Sequence, residues 1–249
     1  MNPIPLSISA PFVALVLVVA VTLVAGIHRA AGARAALVGA VVMGAWLAFT
    51  GVLAARGVLM DFSAVPPRLA IVVLPPVVLA LAVAFGAADG LLRALPPRWP
   101  VAAQVFRVGV EVLLWQLAGA RLIAEMMTFN GANFDIVTGI TAPVVAWLAF
   151  RGGRVRRGAV IAWNVAGLAL LANVVARGLL SAPTPFRMIV TDPPNTIVAR
   201  FPIVWLPGFF VATALLLHAV SLRQMVLAAR AGRRTGSADR GAREMVAKA

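Results

Sequence analysis

Seven apolar stretches follow one another along this chain of 249 residues, at 11–27, 35–55, 69–90, 101–122, 136–150, 158–180 and 203–222. A helix needs about 20 such residues to cross the hydrocarbon of a bilayer. The fifth stretch is the shortest and its ends are the least sharply marked. With 62% hydrophobic and only 12% charged residues there is too little polar surface to coat a soluble domain, whose charged share runs near a quarter. The expectation is an all-α integral membrane protein with seven transmembrane helices over residues 1–224 and a basic tail at 225–249. The first stretch has no lysine or arginine ahead of it and exceeds a usual signal-peptide core, so it reads as a retained span.

Basic residues set the orientation. Arg29, Arg34, Arg93, Arg98, Arg151, Arg154, Arg156, Arg157, Arg223, Arg230, Arg233, Arg234, Arg240, Arg243 and Lys248 fall on one side, fifteen in all. Six fall on the other: Arg56, Arg68, Arg121, Arg177, Arg187 and Arg200. The richer side is cytoplasmic by this rule, which places the N-terminus outside and the tail inside. One lysine against twenty-one arginines suggests a GC-rich bacterial genome, hence the inner (plasma) membrane. The net charge of +14 is spread over short loops and the tail, so it speaks for topology and contact with anionic lipid and not for nucleic acid.

Three short segments recur. Ser9-Ala10-Pro11-Phe12 resembles Thr141-Ala142-Pro143-Val144, Ala55-Arg56-Gly57 resembles Ala176-Arg177-Gly178, and the segment from Arg68 to Pro75 resembles that from Arg200 to Pro207. They predict a 3+1+3 arrangement of parallel repeats, about 11–93 and 136–224, joined by a linker helix at about 101–123. That arrangement resembles the SWEET sugar carriers in architecture alone, because no Pro-Gln motif and no matched asparagines in spans three and seven accompany it. Pro75 and Pro207 occupy equivalent repeat positions and are candidate hinges.

The fourth stretch places Gln104, Arg107, Glu111, Arg121 and Glu125 on one helical stripe, which therefore faces protein and not lipid. Glu111 falls near the bilayer midplane, where an ionised side chain costs at least about 2.5 kcal/mol. At a spacing of i,i+4, Arg107 and Glu111 are placed to pair, either as scaffold or as part of a transport or relay path. His218 and Asn164 complete a candidate intramembrane polar cluster with Arg107 and Glu111, whereas Asn173 falls on the opposite face of its helix from Asn164. Arg121, Glu125, Asp135 and Arg200 form a candidate outer-surface cluster, in which Asp135 is also a candidate cap for the fifth helix. Without cysteine, and with two separated histidines, no catalytic, cofactor or metal residues are assigned. The leading functional expectation is a small secondary transporter or channel-like carrier of a small molecule or ion. A seven-helix receptor, or an accessory subunit of a membrane complex or homo-oligomer, comes second, and a membrane enzyme last, for want of a nucleophile.

Overall fold

The computed structural model describes residues 3–86, 89–153 and 155–248, with side chains as far as Ala231. Arg154 and the tail side chains Arg233, Arg234, Arg240, Arg243 and Lys248 lie outside the described residues. The fold is all-helical, with no strand among the described residues. Its main elements are α1 (Leu6–Ala55), α2 (Ala70–Phe85), α3 (Asp89–Ala94), α4 (Arg98–Ala103), α5 (Phe106–Gly119), α6 (Ile136–Leu148), α7 (Arg157–Ser181) and α8 (Val211–Lys248).

The first two apolar stretches form α1, which is broken at Gly32, where φ is 82° and ψ 179°. Glycine adopts that backbone without a Cβ clash. The arms fold back on each other there, since the Ile27 side chain lies over Gly39, twelve residues on. The fourth stretch is α4 and α5 with a turn at Gln104 and Val105, 22 residues in all. Among the described residues, four helical segments are long and apolar enough to cross a membrane: Leu6–Ala55, Arg98–Gly119, Arg157–Ser181 and Leu206–Ala231. Helices α2 and α6 are apolar but shorter, with 16 and 13 residues.

Burial sorts the long helices. The most apolar window of the Leu206–Ala231 segment is 67% buried and that of Arg98–Gly119 50%, against 22% for α1 and for α7. Helix α8 is therefore the centre of the bundle, with α2 and α7 packed along it, α5 against α1, and α6 against α4 and α5. The segment just ahead of it is anchored to α1. The Trp46 and Trp205 indoles donate to the carbonyls of Gly208 and Leu47, each at 3.0 Å. Pro207, which has no N–H to give, lies in a π-helical turn, Leu206–Phe210. Gly208 lets α2 approach, because a Cβ there would sit 2.4 Å from the Val72 side chain.

The loops gather at two ends. At one, Arg223 pairs with Asp89 at 3.0 Å, Gln224 donates to the carbonyls of Leu92 and Leu95, and Arg157 donates to that of Ala228. At the other, Asn195 donates to Gly178 and Ser181, and Asn173 to the Ala132 carbonyl. The two proposed repeats are not built alike. Helix α7 runs along α8, whereas α1 has α5 as its chief partner, and Pro75 sits with Pro76 inside a regular helix while Pro207 sits in a π-turn.

Candidate functional site

The site begins where α6 begins. Helix α6 has 13 residues and so extends only about 20 Å, well short of α5 with α4. Its first residues meet α5 at Arg107, twelve residues below the end of α5 at Gly119. The connecting segment 120–135 therefore turns inward along α5 instead of staying at the bundle's end. Two close approaches make this packing possible. A Cβ on Gly139 would lie 2.8 Å from the Val108 amide nitrogen, and one on Gly131 would lie 2.5 Å from the Glu125 carbonyl oxygen.

A chain of buried side chains links this entry point to α7 and α8. Asn133 Nδ2 donates to Glu111 Oε1 at 2.7 Å and to the Met127 carbonyl at 3.1 Å, and its Oδ1 accepts from the Asp135 amide at 3.1 Å. The Asp135 carboxylate takes a two-pronged bond from Arg107, through Nε at 2.7 Å and through Nη2. Arg107 Nη1 lies 2.9 Å from His218 Nε2. The remaining contacts run from His218 Nδ1 to Asn164 Oδ1 and from Asn164 Nδ2 to Ser221 Oγ, both at 2.9 Å.

Directionality fixes the histidine. Guanidinium can only donate, so Nε2 of His218 accepts and carries no proton, and Nδ1 carries one and donates to Asn164. Asn164 is then held with its oxygen toward His218 and its amino group toward Ser221 and the Val160 carbonyl. Gly167 leaves room for the imidazole, as a Cβ there would lie 2.5 Å from His218 Cε1. Every member is buried: Arg107 is 2% exposed, Glu111 1%, Asn133, Asn164, His218 and Ser221 0%, and Asp135 7%. One acceptor is left over, since Glu111 Oε2 is buried with no hydrogen-bond partner.

An apolar cavity of about 130 Å³ opens onto this network. Its walls are Leu69 just ahead of α2 and Val73 of α2, Phe106, Val110 and Leu114 of α5, Leu171, Val174, Val175 and Leu179 of α7, and Leu206, Phe210, Val211 and Ala214 around the start of α8. Met127, Ala182 and Val198 line it at the end where the 120–135 and 182–200 segments lie, and Arg107, Glu111 and Asp135 supply its polar part.

Four residues expected together, Arg107, Glu111, Asn164 and His218, do form one cluster, but Arg107 and Glu111 do not pair. Arg107 directs its donors to Asp135 and His218, and Glu111 turns to Asn133. Of the expected outer cluster, Asp135 turns to Arg107 instead. Asp135 sits at the start of α6 without capping it and is drawn inward by Arg107. Arg121 and Glu125 are exposed beyond the end of α5, where Arg121 has φ 55°, so the stripe ends with Glu111. Arg200 is half-buried ahead of the π-turn. Pro207 lines the cavity and Pro75 does not. Sequence reasoning missed Asn133 and Ser221. The run Phe129-Asn130-Gly131-Ala132-Asn133 carries only turn-forming signals, and nothing in its spacing marks a buried amide.

No curated protein and no solved structure matches the chain. Residues 64–226, which hold every member of the polar network and leave out α1, match the family described as Domain of unknown function (DUF8737), and the chain belongs to that family.

Proposed function

We propose that this chain is a seven-span inner-membrane protein, N-terminus outside and tail in the cytoplasm, that works as a small secondary carrier. The observation that carries the reading is the buried polar network at the inward-turned start of α6, set at the floor of an apolar cavity. Interrupted backbone at membrane depth is tolerated only where it is buried in protein or lines a cavity, and carriers build their sites at such breaks. The cavity residues Leu179, Ala182 and Val198 belong to the end that lacks the basic loops, so in the proposed topology the site faces outward. Seven crossings require α2 and α6 to span with their flanking turns, which the apolar stretches at 69–90 and 136–150 allow.

Accessibility tests it. In a chain without cysteine, Val110→Cys should react with an impermeant thiol reagent from outside and, in a second population, from the cytoplasmic face of inside-out vesicles. Labelling from the outer face alone would favour a receptor. That second reading draws on α8, which runs from the cavity residue Val211 to Lys248 and so joins the site to the basic tail by one helix.

A further inference from the structure

The carrier reading leaves the cargo open, and the walls and mouth of the cavity narrow it. We infer that the cavity takes one hydrocarbon chain of a membrane lipid, which enters sideways between α2 and α7 with its headgroup left outside. This inference deepens the carrier reading and rests on its membrane placement.

The walls offer a ligand nothing polar. The surface of the cavity is almost wholly hydrocarbon. Three charged residues touch it, but their polar atoms are taken up within the network or enclosed. Arg107 is bonded to Asp135 and His218, Glu111 Oε1 accepts from Asn133, and Glu111 Oε2 is buried away from any surface. A polar ligand would lose its hydration there without a bond in return, whereas hydrocarbon is stabilised by the burial itself.

Burial shows where the cavity opens. On α5, Phe106, Val110 and Leu114 are buried and form its back wall. On the other side Val73 of α2, Val174 and Val175 of α7 and Val211 of α8 are half-buried, and Leu179 of α7 is exposed. The mouth therefore lies on the side of α2 and α7. The surface around it is apolar as well. Helix α2 has no polar side chain along its whole length, with Leu74 57% and Val78 62% exposed, and α7 carries no charge between Arg157 and Arg177. In the proposed spans this surface faces lipid, so the molecules at the mouth are lipid chains.

Size and depth agree with one chain end. An apolar cavity of about 150 Å³ holds benzene, so one of about 130 Å³ encloses roughly six carbons of a single chain and excludes a headgroup. In the proposed topology the back wall lies beside Glu111, near the midplane of the bilayer, where the chains of a leaflet end. Such a chain exchanges with the bilayer, so Val110→Cys still reacts between occupants.

The test places the full chain in phosphatidylcholine vesicles that contain a phosphatidylcholine with a diazirine on one chain, either at its free end or beside its ester. After irradiation the adducts are mapped by mass spectrometry. The chain-end probe should label Val110 and Leu114 on the back wall as well as Leu74 on the lipid-facing surface, and the ester-side probe should label neither back-wall residue. Val174→Phe, which fills the cavity from α7, should reduce the back-wall adducts at least about tenfold, because it displaces several buried methylenes, and should leave those at Leu74 unchanged. A back wall free of adducts, equal labelling of it by the two probes, or back-wall adducts that survive Val174→Phe would overturn the inference. The first two outcomes are read in the unsubstituted chain and decide the matter where Val174→Phe does not fold. The carrier reading fails separately. Labelling of Val110→Cys from the outer face alone removes that reading and leaves a chain-binding cavity standing, whereas labelling from both faces with an adduct-free back wall removes only this inference.

Discussion

Arg107 holds three groups at once, the two Asp135 oxygens and His218 Nε2, in a buried site. Removing it strands a buried carboxylate and an imidazole acceptor together. Arg107→Met should therefore lower unfolding stability by about 3–5 kcal/mol, and Asp135→Leu by a similar amount, while the double variant recovers most of the loss. Denaturant unfolding in detergent across this cycle checks it, and additive single effects would mean that the pair is not coupled. His218→Leu leaves Nη1 of Arg107 and the oxygen of Asn164 unsatisfied, and should cost about 1–3 kcal/mol by the same measurement. The sequence shows one side of this cluster only. Gln104, Arg107 and Glu111 share a helical face, so their burial follows from period alone, and indeed all three are buried. Local spacing then favours Arg107 with Glu111, four residues apart, but Asp135 prevails because its carboxylate meets the guanidinium along two bonds at once, a geometry set by where α6 starts and not by any spacing.

Between residue and bundle, the helices owe their contacts to a few positions without side chains. Gly167 of α7 faces the His218 imidazole, and Gly208 faces Val72 of α2. Gly167→Ala should push the imidazole off Arg107 and Asn164 and cost about 1–3 kcal/mol, although alanine is the better helix former. Gly208→Ala should cost a similar amount by forcing α2 away from the π-turn. Alanine at Gly44, where a Cβ meets nothing within 4 Å, should be neutral or slightly stabilising, and thermal unfolding of the three variants separates the cases. Helix identity was largely legible, since each apolar stretch holds a helix. Helix ends were less so. Nothing in the composition of 69–90 announces that α2 stops at Phe85, or that the stripe of α5 ends before Arg121, because both ends answer to tertiary packing. The inward turn of 120–135 was likewise hidden, for its residues are those of any surface turn.

At the scale of the whole molecule, two independent arrangements agree. The loops rich in arginine are the ones tied together around α8 by Arg223 with Asp89, Gln224 with Leu92 and Leu95, and Arg157 with Ala228. The sparse ones meet at the far end, where Asp61 is paired with Arg68 at 2.8 Å. Hydrogen bonds from the Ser63 hydroxyl and amide, with Arg68 beside it, hold the Asp61 carboxyl below its ordinary range, so this tie is complete at neutral pH and loosens only in acid. That end is the one assigned to the outside, and a single labelling experiment decides the topology. Ser63 is exposed and next to this tie, and Ser237 lies far along the basic tail. In intact cells Ser63→Cys should react with an impermeant thiol reagent, and Ser237→Cys should react only after the membrane is opened. An odd number of crossings demands that difference between the two positions, because α2 and every later span lie between them. Labelling of both from outside would require an even number of crossings there and would leave α2 or α6 on one side of the bilayer. Labelling of Ser237→Cys alone would invert the molecule, and the cavity that ends at Met127, Ala182 and Val198 would then open to the cytoplasm.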